Sequence, residues 1–222
     1  MRQFSALIRP FASVAAMALA AFVPAGAGAQ ETGTERAPGE AYIAEVFTDW
    51  ELRCLTPAEE GQPERCEMFQ LLLDEQDNPV AVMRVAAPLT PTDEVVAAIS
   101  IVTPIETLLT PGIRLRIDDG EPGGLPYTLC EPSGCLARLP INAATADAFK
   151  AGGEAFIEIF ALVRSDLGEI GGVPVALSAS LRGFTAAFDA MLERHVAFAE
   201  FVATLQESEG EAEGEAAPAA SE

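Results

Sequence analysis

The sequence predicts an antiparallel β-sandwich with two added helices, built as one domain. Three observations carry this. Several short segments of the 222-residue chain alternate apolar and polar residues, and Asp-Gly, Gly-Gly and Pro-Ser-Gly turn signals separate them at short intervals. Only two stretches show helical spacing instead. Many short strands with such punctuation fit a sandwich better than a helix-covered parallel sheet.

The elements follow in chain order. Residues 1–29 read as a secretory signal: Arg2 and Arg9 open it, "FASVAAMALAAFV" (11–23) supplies the apolar run, and small residues precede a cut after Ala29. That run is shorter than the roughly 20 residues needed to span a bilayer. Residues 30–41 are polar with Gly and Pro and are expected to form a flexible leader to a domain covering 42–205. Strands are expected over "VFTDWELRC" (46–54), "CEMFQLLL" (66–73) and "VAVMRVAA" (80–87). "EVVAAISIVT" (94–103) is almost wholly apolar, which predicts a strand covered on both faces. In "GIRLRIDDG", Ile113, Leu115 and Ile117 share one face, Arg114 and Arg116 the other. "AFIEIFALV" (155–163) and "VPVALSASL" (173–181) complete the strands.

Between them, "NAATADAFKAGG" (142–153) predicts a short helix with Asn142 as N-cap and Gly152 as terminator. A longer helix is expected over 183–206. There Phe184, Phe188, Met191, His195, Phe198, Val202 and Leu205 form a heptad-like stripe, which should pack onto the domain itself. "QESEGEAEGEAAPAASE" (206–222) has six acids, no base and no large apolar residue, so it is expected to be disordered.

Charge narrows the function classes. The formal charge of −21 becomes −23 when Arg2 and Arg9 leave with the signal. A chain this acidic repels phosphate backbones and anionic lipid surfaces, so nucleic-acid binding is not expected. A cationic partner is compatible with it. No second long apolar run exists, so no membrane span is expected after signal cleavage.

Cys54, Cys66, Cys130 and Cys135 are an even set, and in an exported chain pairing is the default. Four cysteines permit three connectivities, and proximity favours Cys54–Cys66 with Cys130–Cys135. A zinc site would call for tighter pairs than the spacings here provide. A thiol redox centre would place Cys-x-x-Cys at a helix start, whereas "YTLCEPSGCLARL" (127–139) surrounds a turn between strand-like flanks. Structural disulfides are therefore the favoured reading over redox chemistry or metal binding.

The remaining candidates are weaker. His195 is the only histidine and lies on the apolar seam of the last helix, where a partly buried, hydrogen-bonded role is expected. Ser178 and Ser180 lack the Gly-x-Ser-x-Gly elbow of a nucleophile. "DDGE" (118–121) and "DEQD" (74–77) are acidic turns that depart from the calcium-loop pattern and read as solvated hairpin turns. No catalytic, cofactor-binding or metal-ligating set is expected, and no cofactor.

"FTDWELRC" followed by "CEMFQ", then "TPIETLLTPGIRLRIDDG", "YTLCEPSGCLARLP" and "VPVALSASLRGFTAAFDAM" occur in the order in which similar blocks occur in the invasion-associated locus B family. The chain resembles that family over about residues 44 to 191. The resemblance implies an immunoglobulin-like sandwich in a protein exported by a Gram-negative cell, and it supplies no catalytic residues. Together these readings predict a non-enzymatic envelope or surface protein, periplasmic or secreted. Its expected partner is a protein in the envelope or on a host cell. A periplasmic enzyme (a carboxylate hydrolase or a thiol-disulfide redox protein) and a periplasmic chaperone are the alternatives.

Overall fold

The computed structural model describes the backbone over residues 36–215 and side chains as far as residue 206. The predicted signal (1–29), the first part of the leader and residues 216–222 lie outside the described residues. The strands are β1 (Ala41–Phe47), β2 (Trp50–Leu55), β3 (Arg65–Asp74), β4 (Pro79–Ala86), β5 (Ala97–Thr103), β6 (Ile113–Ile117), β7 (Gly123–Leu125), β8 (Tyr127–Glu131), β9 (Gly134–Ile141), β10 (Glu154–Arg164) and β11 (Ile170–Ser180). Helix α1 spans Ala143–Ala151 and α2 spans Phe184–Glu215.

Every strand pairing among the described residues is antiparallel, and hydrogen bonds join the strands in the order β7-β6-β10-β11-β3-β4-β5-β9-β8. The sheet curls on itself, because β7 near one end packs against β9 near the other. The fold is thus all-β, sandwich- or barrel-like, with two helices. The β1–β2 hairpin attaches separately, through β2 and β3. One edge of β3 is consequently shared: its first half pairs with β2 and its last two residues with β11.

Alternation along each strand decides what faces the core. Trp50, Leu52, Met68, Leu72, Met83, Ile99, Ile101, Ile113 and Ile157 are fully or almost fully enclosed. Each such side chain contributes about 1.5–3 kcal/mol relative to exposure. The helices complete this core with an aromatic cluster. Phe184 meets Trp50 edge-on at 5.3 Å and stacks with Phe149 at 5.5 Å and Phe188 at 5.6 Å. Asn142 caps α1, its side chain accepting from the Thr145 amide. Gly152 ends that helix without a left-handed backbone. It is glycine because a Cβ there would lie 2.5 Å from Ile117 and 2.8 Å from Leu181.

Several sequence expectations are corrected. Residues 46–54 do not form one strand: the chain reverses at Thr48, whose φ is 58°, to make the β1–β2 hairpin. Alternation is clean only from Asp49 onward, and the like pairs Val46-Phe47 and Thr48-Asp49 before it mark the turn. The end of the leader is held rather than loose, since the Gly39 amide donates to the Thr56 carbonyl (2.8 Å) and the Thr56 amide to that of Glu40 (2.9 Å). Strand β5 is fully buried on one face only, the alternate residues being half-buried. Helix α2 runs through Glu215, past the expected end near Gln206. Once its first turns are packed, each further residue needs only propagation, which Ala and Glu favour.

The apolar stripe of α2 is covered in part. Phe184, Phe188, Met191 and His195 are buried, Phe198 and Val202 half-buried, and Leu205 exposed. Among the described residues no helix is long and apolar enough to cross a membrane.

Candidate functional site

Cys54 is bonded to Cys66 and Cys130 to Cys135, with Cα atoms 4.1 and 4.0 Å apart. Both bridges join register partners directly opposite on neighbouring strands, β2 to β3 and β8 to β9. This is where non-hydrogen-bonded antiparallel pairs approach most closely. Cys54 and Cys66 are buried, whereas Cys130 is exposed beside a buried Cys135. Across the first bridge Glu64 accepts from the Tyr42 hydroxyl and from Arg194 of α2 (3.2 Å), tying the helix to the hairpin. Burial, and then the Glu64 carboxylate, push the Tyr42 hydroxyl above its usual pKa.

Four of the remaining chemistry-bearing residues from the sequence, His195, Ser180, Asp118 and Asp74, are engaged in scaffolding. His195 places Nε2 2.7 Å from the Pro88 carbonyl oxygen, anchoring α2 to the end of β4. Ser180 donates its hydroxyl to Asp49 (2.7 Å) at the foot of α2. His195 lies eleven residues beyond Phe184, the first residue of the helix, a rise of about 16 Å, so it forms no pair with Ser180. In the "DDGE" turn the Asp118 carboxylate accepts from the Gly153 and Glu154 amides at 3.1 and 2.9 Å, fixing the end of β6 against the start of β10. In "DEQD", Asp74 accepts from the Gln76 and Asn78 amides, both at 2.9 Å, and shapes the β3–β4 turn. Among the described residues the one group of three potential metal ligands within 4.8 Å of one another is Cys54, Glu64 and Cys66. Its two sulfurs are bonded to each other.

A different feature is assembled only by the fold. Ladder pairing of β2 along β3 ends at Phe69, and that of β11 starts at Leu73, leaving a seam. Gln70 closes the inner side, its amide nitrogen donating to the Asp49 carbonyl (2.7 Å) and the Ser180 carbonyl (3.1 Å). Trp50 donates its indole N–H to the same Ser180 carbonyl at 2.9 Å. Asp49 also receives the Arg182 guanidinium at 2.8 Å. The Ser180 hydroxyl first, and Arg182 with it, hold the Asp49 carboxyl below its usual pKa although burial opposes this. On the outer side the seam opens as a cleft of about 430 Å³, lined from five separate segments. Sequence reading singled out Ser178, Ser180, Asp74 and Asp77 of this lining, each for another chemistry. It missed Gln70, Asp49 and Glu154, whose proximity depends on strand pairing; the Gln in "CEMFQ" was the one visible signal.

Comparison with known proteins supplies the relatives. The family model for the invasion associated locus B (IalB) protein matches residues 50–192. Two proteins described as invasion protein B homologs, from Brucella abortus strain 2308 and from Brucella abortus biovar 1 strain 9-941, are each 37% identical over 81 residues. Those stretches cover 36% of this chain and 43% of each relative, so the match spans less than half of the curated relatives. The crystal structure of invasion associated protein b from Bartonella henselae aligns with a TM-score of 0.50 at 19% identity. That alignment takes in 68% of this chain and 97% of the other, a likeness of fold alone.

Proposed function

The chain belongs to the invasion-associated locus B family, and from that premise we propose that it is a non-enzymatic interaction protein exported to the cell envelope or beyond it. One observation carries the reading. Ser180, His195 and the four cysteines serve the scaffold: Ser180, with Asp49, seats α2, His195 anchors it, and both cysteine pairs clamp neighbouring strands. Such a framework suits presentation of a preformed surface, which spares a binding partner the cost of ordering it. The names of the Brucella and Bartonella relatives favour a part in host-cell invasion, and the predicted secretory segment favours export.

Crosslinking in intact envelopes followed by recovery of the chain tests the proposal. A defined, reproducible partner is expected. Recovery at background level, together with turnover of a substrate panel by the purified protein, would overturn it in favour of an enzyme. Trapping of thiols in the envelope addresses the redox alternative: all four cysteines should be found oxidised, and partial reduction of Cys130 and Cys135 would shift the assignment to thiol exchange.

A further inference from the structure

The outer face of β2, β3 and β4 runs against the charge of the chain. There are 34 acids and 13 bases in the sequence. Yet a hollow of about 450 Å³ on this face is lined by Arg53, Arg65 and Arg84, with Glu67 its one acid among the described residues. Register brings these side chains together from three strands: Arg53 lies opposite Glu67, Leu55 opposite Arg65, and Phe69 opposite Arg84. Alternation turns their neighbours Leu52, Met68 and Val85 into the core, so the hollow collects outward-facing side chains. Its size falls within the range of small-molecule sites, about 300–1,000 Å³.

The three arginines differ in how far they are engaged. Arg53 donates to Glu51 from Nε and Nη2, both at 2.7 Å, and lies over the Phe69 ring at 3.1 Å, so it is fixed in place. Arg84 approaches Glu67 only to 3.9 Å. Its Nε is buried, whereas its two Nη atoms are accessible and make no hydrogen bond among the described residues. Arg65 is exposed and has neither an ion pair nor a side-chain hydrogen bond there. Three guanidinium charges less the carboxylates of Glu51 and Glu67 leave the hollow at +1. One negative charge balances that, and a planar carboxylate matches the guanidinium fork in shape. A phosphate dianion would exceed it. Repulsion from the acidic remainder of the surface is largely screened beyond about 8–10 Å at physiological salt. Ala41, Leu55 and Ala86 add apolar wall beside the cations, which suits an aliphatic stem.

We propose that this hollow binds a small organic acid, a carboxylate on a short aliphatic stem. Arg65 and the Nη edge of Arg84 take the carboxylate, and Leu55 and Ala86 pack against the stem. Such a ligand needs no protein partner, so it adds to the interaction-protein reading without resting on it. The test is isothermal titration calorimetry of the full, oxidised chain with butyrate, hexanoate and octanoate. The neutral amide and the phosphate monoester of the same chain length serve as comparisons. At least one carboxylate should bind, its amide about tenfold more weakly and its phosphate counterpart more weakly than the acid. Arg65→Gln and Arg84→Gln should each weaken carboxylate binding about tenfold. Arg164→Gln removes an exposed, unbonded charge outside the hollow and should change it less than about twofold. Arg65 is exposed and unbonded, so its replacement should leave the urea midpoint unchanged.

Binding by none of the three carboxylates would overturn the proposal. So would an amide that binds as tightly as its acid, which would reduce the hollow to an apolar recess, or a phosphate monoester that binds more tightly. Equal losses for Arg65→Gln and Arg164→Gln would reveal diffuse attraction and overturn it as well. None of these results bears on the partner sought by envelope crosslinking, whose absence removes the interaction reading alone.

Discussion

Replacing Gly183 by Ala should unseat helix α2. Gly183 precedes the helix at φ 87°, and a Cβ there would lie 2.0 Å from the Phe47 carbonyl oxygen, 2.7 Å from its carbon and 3.2 Å from the Thr48 Cβ. The first two are backbone atoms of the β1–β2 turn and cannot rotate away. The next residue, Phe184, is held between Trp50, Phe149 and Phe188, so the helix cannot slide without breaking the aromatic cluster. Two costs add: about 1–2 kcal/mol for a left-handed residue bearing a Cβ, and about 1–3 kcal/mol for overpacking. The sum is about 2–5 kcal/mol. With a urea slope of about 2 kcal/mol per molar, the unfolding midpoint should fall by about 1–2.5 M. Gly168→Ala is the control, because its φ is 81° but nothing lies within 4 Å of the added Cβ, so it incurs only the first cost. Equal midpoint shifts in the two variants, or none for Gly183→Ala, would refute the close approach as the reason for glycine.

Three further outcomes are expected. Phe184→Ala should cost about 3–5 kcal/mol and weaken the near-ultraviolet dichroism of Trp50, the only tryptophan; a spectrum like that of the parent would count against the packing described. The Asp49 carboxyl is held below its ordinary value of 3.8 in the folded chain, so its stabilisation is complete above that pH and is lost as pH falls through the lower, folded value. Asp49→Asn should therefore flatten part of the acid limb of stability below about pH 5 in urea titrations, and an unaltered limb would show that Ser180 and Arg182 do not act on it. Under mild dithiothreitol, alkylation mapping should find Cys130–Cys135 opened before Cys54–Cys66, since Cys130 is exposed while Cys54 and Cys66 are 1% and 7% exposed. Loss of both bridges together, only on global unfolding, would contradict that order.

Much of the fold was legible wherever local pattern decides local structure. The Ile113–Leu115–Ile117 alternation became β6, Asn142 capped α1, and Phe184 to His195 became the buried face of α2. Misreadings occurred where a neighbour distant in sequence decides. Thr48 turns the chain where Gly183 abuts it, and the only local trace is the pair of like neighbours Val46-Phe47 and Thr48-Asp49 before the alternation of residues 49–54. Gly152 does end α1 as read, but what calls for glycine there is the approach of the Ile117 and Leu181 side chains rather than a left-handed backbone. The acidic turns at 74–77 and 118–121 looked alike in sequence. The fold makes one a wall of the cleft and the other a brace between β6 and β10.

From composition, periodicity and turn chemistry, the sequence by itself determined an acidic, cysteine-containing, all-β chain with a long helix after its last strand. These properties depend on residues within a turn or two of each other along the chain, where spacing is fixed by covalent geometry. Only the tertiary structure decided that β3 divides one edge between β2 and β11, that Gln70 closes the gap from within, and that carboxylates from residues 49 to 154 surround it from without. Strand register between remote segments is set by how all the apolar faces are buried at once, and no local spacing encodes it.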